Sequence, residues 1–292
     1  MVKRIDELPT VLTSFAYGDD YFAEMEGMIE TARDHHPNWS IVVGRGPVPG
    51  YELPTFEVES PAGRHHWSLP VPLNLENRRG SDTDFDKICF MVGWWVARVW
   101  REFGQFAGDN LRRVVYSDVD NRFNDAMDIE LDPASEVIAS PWWHETEYFD
   151  GKGMLSTCLA LFQGSKGGEV EQLIDQWSGK CIESLLRNSK TMPPVVLSDE
   201  ELLTEVLHNR AGSEAHRLLL KLDRHKYACW PIEGLTPDET TESIADRKLI
   251  RRGLVDQWHF TARTKLPEGS DVHWPPPEEF RRLAPIGTPL RW

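Results

Sequence analysis

Two aspartates that follow an apolar run are the residues of this sequence best suited to chemistry. Residues 111–116, LRRVVY, have the pattern of a strand, and Asp118 and Asp120 come directly after it. Ligands of open parallel sheets bind at the carboxyl ends of the strands, and alternate residues of an extended chain point to the same side. Both carboxylates can therefore converge on one ion, and such hard oxygen ligands suit Mn²⁺ or Mg²⁺. A divalent ion held there can neutralise a departing diphosphate.

The same acidic spacing occurs elsewhere in the chain, at residues 82–84 and 84–86. Neither of those triplets follows an apolar run, so neither is expected at the end of a strand. We therefore predict the metal site at Asp118 and Asp120. A solvated turn that caps a helix is the structural alternative for this triplet.

The elements that must position these aspartates follow an α/β order. Residues 11–18 read as an apolar strand, the next helix carries one apolar stripe, and residues 39–43 form a second short apolar run. Strand, helix and strand in succession indicate a βαβ unit and a parallel sheet. Residues 84–103 form a long helix with a broad apolar stripe, which leads into the strand before Asp118. We predict a Rossmann-like, mostly parallel central sheet flanked by helices.

The remaining chain is expected to complete one domain over residues 1–265. Residues 47–81 are rich in proline, glycine and asparagine and are interpreted as a long loop, with short strands expected near residues 55–59. The segment 266–292 contains several prolines and is predicted to be an extended C-terminal arm. A capping-box pattern begins a helix at Asp199.

Composition excludes several classes of function. The chain of 292 residues has a formal net charge of −15, which disfavours binding to nucleic acid or to anionic lipid surfaces. Its most apolar segment, residues 88–100, is interrupted by Arg98 and is too short to cross a bilayer, so no transmembrane segment is expected. The N-terminus lacks a signal-peptide pattern, and the four cysteines are far apart, as free thiols would be. A cytoplasmic location is predicted.

With these features in place, the chain resembles glycosyltransferases of the GT-A fold, in particular the glycogenin-like and lipopolysaccharide galactosyltransferase-like group. Residues 114–123, VVYSDVDNRF, look like the group's metal-binding stretch. Residues 259–265, HFTARTK, have the spacing of its late His-x-x-Gly-x-x-Lys motif, with Ala262 in place of glycine. The resemblance implies that His259 is a third metal ligand and that Lys265 contacts the diphosphate.

Two further stretches resemble the parts of that group which face the sugar. Residues 154–162 look like the segment beside the donor sugar, with Ser156 and Thr157 where the group usually has asparagine or glycine. Asp199 resembles the aspartate of the group's Asp-Gln stretch, which lies near the reacting sugar, and Glu200 replaces the glutamine.

Two residues are candidates for contacts with the nucleotide. Tyr17 follows the first strand, where the resembled group contacts the nucleobase and ribose. Lys87 lies early on the long helix and is a candidate for a phosphate contact, with a solvated lysine as the alternative.

Taken over all of these stretches, the resemblance implies a metal-dependent enzyme. Such an enzyme moves a sugar from a nucleoside diphosphate, most simply UDP, to a hydroxyl of a glycan or small-molecule acceptor. In that enzyme Asp199 would orient the sugar or acceptor, and Lys265 would add positive charge. Two alternatives remain. One is a phosphohydrolase of the haloacid-dehalogenase type, which also places Asp-x-Asp after a strand. The other is a non-catalytic binding protein of the same fold with a decayed site.

Overall fold

The computed structural model describes most of the predicted domain. It covers residues 2–18, 21–72, 82–104, 111–119, 121–123, 125–143, 154–188, 199–209, 217–222, 227 and 257–259. The predicted arm, residues 266–292, lies outside these ranges, so its prediction and the domain boundary before it stay predictions.

Four α-helices and thirteen strands are present in the described ranges. The helices are α1 (Phe22–His35), α2 (Asp82–Phe103), α3 (Glu169–Asn188) and α4 (Asp199–Asn209). The strands are β1 (Lys3–Arg4), β2 (Val11–Tyr17), β3 (Ser40–Gly46), β4 (Thr55–Ser60), β5 (Gly63–Ser68), β6 (Leu111–Ser117), β7 (Asn121–Phe123), β8 (Glu130–Leu131), β9 (Val137–Trp143), β10 (Met154–Leu155), β11 (Leu159–Ser165), β12 (Leu219–Leu222) and β13 (Gln257–His259). Within the described ranges no helix is long and apolar enough to span a membrane.

A nine-stranded sheet forms the centre of the molecule, in the order β10-β9-β11-β6-β2-β3-β4-β5 with β12 beside β9. The predicted α/β class, with a central sheet and flanking helices, is confirmed. The sheet is nevertheless mixed rather than mostly parallel. The pairs β2–β3, β2–β6 and β9–β12 are parallel, and the other described pairs of this sheet are antiparallel. Short connections such as the β4–β5 turn are the reason, because they can join only antiparallel strands.

The segment predicted as a long loop, residues 47–81, is in part a β-hairpin. Strands β4 and β5 pair antiparallel and extend the sheet at its β3 edge. Phe56 and Val58 alternate with polar residues on β4, and both side chains are buried. Trp67 on β5 is buried against the same core. This alternation is a strand signal, but proline and glycine on either side obscure it in the sequence.

Side chains from both faces of the sheet build two cores. On β2, Val11 and Phe15 belong to the core beneath α2, α3 and α4. Leu12 and Ala16 belong to the core beneath α1. Because both faces of β2 are covered, its sequence is a continuous apolar run rather than an alternating one.

Helices α2 and α3 approach closely at a glycine. A Cβ atom added to Gly93 would lie 2.7 Å from the Cys181 sulfur and 3.1 Å from Cδ2 of Trp177. Cys181 and Trp177 are both fully buried on α3. The missing side chain of Gly93 therefore sets the separation of the two helices that cover this face of the sheet.

Replacing Gly93 by alanine is expected to lower the free energy of unfolding by about 1–3 kcal/mol, because overpacking outweighs the better helix propensity of alanine. Gly179 is the matched control. It lies in α3 with nothing within 4 Å of an added Cβ. Gly179→Ala should stabilise the protein by about 0.5–1 kcal/mol. Urea unfolding of both variants checks this, and equal midpoints for the two would contradict the close approach.

A buried histidine joins α1 to the segment after β7. His36 follows the last residue of α1, and its ring stacks on Trp39 with centroids 3.8 Å apart. Its Nε2 accepts a hydrogen bond from the amide of Met127 at 3.3 Å. This bond requires a neutral ring with its proton on Nδ1. Phe123 of β7 meets the same ring edge to face.

Burial lowers the pKa of His36 from 6.5 to about 4; the charge of His35 lowers it too, whereas Asp6 and Asp125 raise it. The unfolded chain therefore takes up a proton at higher pH than the folded protein. The stability contributed by neutral His36 is complete above pH 6.5 and is lost as the pH falls towards 4. That loss approaches about 3 kcal/mol.

His36→Gln keeps a polar side chain but does not titrate, so the variant should lose this part of the pH dependence. Urea unfolding between about pH 7 and about pH 4.5 measures it. His66→Gln, which replaces an exposed histidine of β5, is the control and should keep the wild-type slope. A His36→Gln slope equal to that of the wild type would show that His36 is not the group responsible.

Candidate active site

The carboxyl ends of several strands meet at one edge of the sheet. Strands β2, β3 and β6 run parallel. Strand β11 is antiparallel to both β6 and β9, so β9 runs with β6, and β12 is parallel to β9. Asp118 follows β6 at this edge, and Tyr17 ends β2 at the same edge. The turn that leads into β11, residues 156–158, also lies there, because Leu159 is opposite Ser117.

The backbone after β6 is fixed by hydrogen bonds to this turn. The amide of Asp118 donates to the carbonyl of Cys158 at 2.9 Å, and the amide of Asn121 donates to the carbonyl of Asp118 at 3.2 Å. The side-chain amide of the buried Asn121 donates to Ser117 Oγ at 2.8 Å and to the Cys158 carbonyl at 2.6 Å. The turn that carries the first aspartate is thus held to the neighbouring strand.

The carboxylate of Asp118 is held by a side chain of its own strand. The buried Tyr116 donates from its hydroxyl to Asp118 Oδ1 at 3.1 Å. The two residues point to the same side because they are two positions apart on extended backbone. Asp118 itself is half-buried. Its carboxylate is therefore oriented and still reaches the surface of the site.

Helix α4 brings two more carboxyl groups to this edge. Asp199 is only 3% exposed, and its Oδ2 accepts a hydrogen bond from Thr157 Oγ1 at 2.5 Å. Glu200 Oε1 accepts from Ser156 Oγ at 2.8 Å and from the Thr157 amide at 3.0 Å. The indole of Trp177 donates to the backbone carbonyl of Asp199 at 3.0 Å and fixes the start of the helix.

Asp118, Asp199 and Glu200 form what we call the acidic cluster. Burial raises the pKa of the Asp199 carboxyl well above its usual range, and the negative charges of Glu200 and Asp118 raise it too, whereas the Thr157 hydrogen bond lowers it. Asp118 therefore lies close enough to Asp199 for its negative charge to affect the pKa of Asp199. Crowding of carboxyl groups in a buried place favours a proton retained on Asp199.

The structure places only some of the predicted site residues. Asp118 and Asp199 come together in the acidic cluster. Tyr17 lies at the same edge, half-buried, with its ring centroid 5.8 Å from that of Phe56. The backbone of His259 on β13 lies opposite Asn121, directly after the acidic triplet.

The other predicted side chains lie outside the described part of the chain. Asp120 and Lys265 are outside it altogether, and the side chains of Lys87 and His259 are outside it as well. Among the side chains that are described, no three His, Cys, Asp or Glu residues form a metal-binding group. The predicted ligand set stays a prediction.

Sequence reasoning did not assign two residues that the site contains. Tyr116 has a clear signal, since it lies two positions before Asp118 on one strand. Asn121 has none, because its partners, Ser117 and the carbonyl of Cys158, become neighbours only when β6 pairs with β11.

No protein-family model matches the chain, and a search of curated proteins finds no match. Solved structures similar to it include a glycosyltransferase involved in the glycosylation of the major capsid of PBCV-1, with 11% identity and a TM-score of 0.46, over 94% of this chain and 98% of that one. The galactosyltransferase LgtC in complex with donor and acceptor sugar analogs is 12% identical, with a TM-score of 0.44, over 95% of each chain.

A third similar structure is the glycosyltransferase GlyE of Streptococcus pneumoniae TIGR4. Its identity is 10% and its TM-score 0.43, and the match covers 97% of this chain and 62% of that one. All three are described as glycosyltransferases.

Asp199→Asn is expected to stabilise the protein at neutral pH. The raised pKa means that the folded protein holds this proton more tightly than the unfolded chain. Wild-type stability therefore decreases as the pH rises above the unfolded value of about 3.9. The amide side chain has no charge to desolvate and can still accept the bond from Thr157.

The gain in urea midpoint for Asp199→Asn should be small near about pH 4 and larger near about pH 8. Asp34→Asn, which removes an exposed carboxylate on α1, is the control and should show no such growth with pH. A gain that is constant across this range would contradict the raised pKa.

Proposed function

We propose that the chain is a metal-dependent glycosyltransferase that moves a sugar from a nucleoside diphosphate, most simply UDP, to an acceptor hydroxyl. The observation that supports this best is the acidic cluster at the carboxyl edge of the sheet, with Asp118 at the end of β6 and two carboxyl groups of α4 beside it. Ligands of open α/β sheets bind at this edge.

The donor atoms near Asp118 fit Mn²⁺ or Mg²⁺. The oriented Asp118 carboxylate is a hard oxygen ligand of the kind both ions prefer. Asp120 follows Asp118 by two positions in the sequence, and the strand of His259 pairs with β7, so both are proposed as further ligands. Bound there, the ion would neutralise the negative charge of the departing diphosphate.

The remaining roles are assigned to residues of the chain itself. Tyr17, at the end of β2, would contact the nucleobase or ribose, and Lys87 and Lys265 would contact phosphate. Asp199 would orient the sugar or acceptor. Because its raised pKa favours the neutral form, it would act as a hydrogen-bonding group rather than as a charge.

The proposal is tested by calorimetric titration of the protein with UDP, with and without Mn²⁺. Binding in the micromolar range that requires Mn²⁺ is expected. Asp118→Asn should weaken it at least about tenfold, equivalent to about 1.4 kcal/mol, and the variant with Asp120→Asn added should abolish it. Asp175→Asn makes the same chemical change on the surface of α3 and should bind as the wild type does.

UDP binding that does not depend on Mn²⁺, or that is unchanged in the double variant, would remove the acidic triplet from the proposed function. Absence of UDP binding, together with hydrolysis of simple phosphate esters that depends on Asp118, would favour the phosphohydrolase. UDP binding without any metal-dependent turnover of UDP-sugars would favour the decayed binding protein.

A further inference from the structure

One short turn touches every member of the acidic cluster. Residues 156–158 connect β10 to β11. All three residues are buried, with exposures of 1% for Ser156, 4% for Thr157 and 2% for Cys158. The carbonyl of Cys158 holds the amide of Asp118. Ser156 holds Glu200 through its hydroxyl. The turn therefore spans the distance between β6 and the start of α4.

Thr157, at the centre of this turn, contacts the first two acidic residues of α4, Asp199 and Glu200. Its hydroxyl donates to Asp199 Oδ2 at 2.5 Å, and its amide donates to Glu200 Oε1 at 3.0 Å. The β-branched side chain of threonine also restricts χ1, so its hydroxyl is aimed with little freedom.

We propose that Thr157 is a positioning residue, which fixes the carboxyl of Asp199 so that Asp199 presents one defined hydrogen-bonding geometry to a hydroxyl of the donor sugar or acceptor. This inference rests on the proposed function. Thr157 does not contact the substrate in this scheme; it acts through Asp199. Displacement of an orienting group by about 1 Å can cost up to about a hundredfold in rate.

The test is a pair of substitutions at this position. Thr157→Val has nearly the same shape and lacks the hydroxyl, whereas Thr157→Ser keeps the hydroxyl. In Mn²⁺-dependent turnover of a UDP-sugar, Thr157→Val should lower kcat about tenfold to a hundredfold with KM for the donor changed less than about twofold. Thr157→Ser should recover most of the wild-type kcat.

Thr204 provides a matched control on the same helix. It is also fully buried, and its hydroxyl accepts a hydrogen bond from the amide of Leu155 at 3.1 Å, without contact to a carboxyl group in the described structure. Thr204→Val should lower the urea midpoint and leave kcat near the wild-type value. Equal losses of kcat in Thr157→Val and Thr204→Val would reduce Thr157 to a purely structural role and overturn the inference.

Crystal structures of the wild type and Thr157→Val separate this inference from the proposed function, because they require no activity. The Asp199 carboxyl should move by about 1 Å or occupy two rotamers in the variant, with the rest of α4 unchanged. An unmoved Asp199 carboxyl would overturn the inference whatever the chain catalyses. If Asp199 moves while the wild type shows neither UDP binding nor turnover, the proposed function fails and the positioning contact stands.

Discussion

The pairing of β6 with β11 is the constraint on which the site depends. It sets Leu159 opposite Ser117 and so brings the turn at residues 156–158 against the end of β6. The Asp118 amide and the Asn121 side-chain amide both donate hydrogen bonds to the Cys158 carbonyl there. Without this register neither group would have that partner, and an unpaired buried polar group is costly. The backbone of the acidic turn is thus determined by the sheet rather than by its own sequence.

The second requirement is close packing of the helices above the same face. Gly93 lets α2 approach Trp177 and Cys181 of α3. The indole of Trp177 in turn holds the carbonyl of Asp199. The position of the buried carboxyl group therefore depends on a glycine in a different helix, because the start of α4 is seated on α3.

The acidic cluster is held at a cost in stability that its neighbours only partly offset. Burial and the charges of Glu200 and Asp118 all disfavour ionised Asp199, and Thr157 opposes them with a single hydrogen bond. A carboxyl group with a raised pKa at the edge of a sheet is typical of a functional site. Replacing Asp199 by an uncharged residue is expected to stabilise the protein. The presence of a carboxyl group that lowers stability is therefore a physical reason to propose Asp199 as a site residue.

Local sequence patterns predicted much of this protein correctly. The apolar run before Asp118, the stripe of α2 and the capping pattern at Asp199 each match an observed element, because hydrophobic periodicity and helix capping are short-range effects. The edge to which Asp118 and Tyr17 belong also follows from the βαβ order. Tyr116 could have been assigned from its spacing alone.

Only the tertiary structure decided which of these residues meet. The contacts of Thr157 with Asp199 and Glu200 join segments far apart in the chain, and they depend on strand order and on how α4 lies against α3. The strand predicted near residues 55–59 is present as β4, whereas its pairing with β5 and the other antiparallel pairs of the sheet were not predicted, for a related reason. Turn residues reveal that a chain reverses, but the partner of each strand is chosen by burial across the whole sheet.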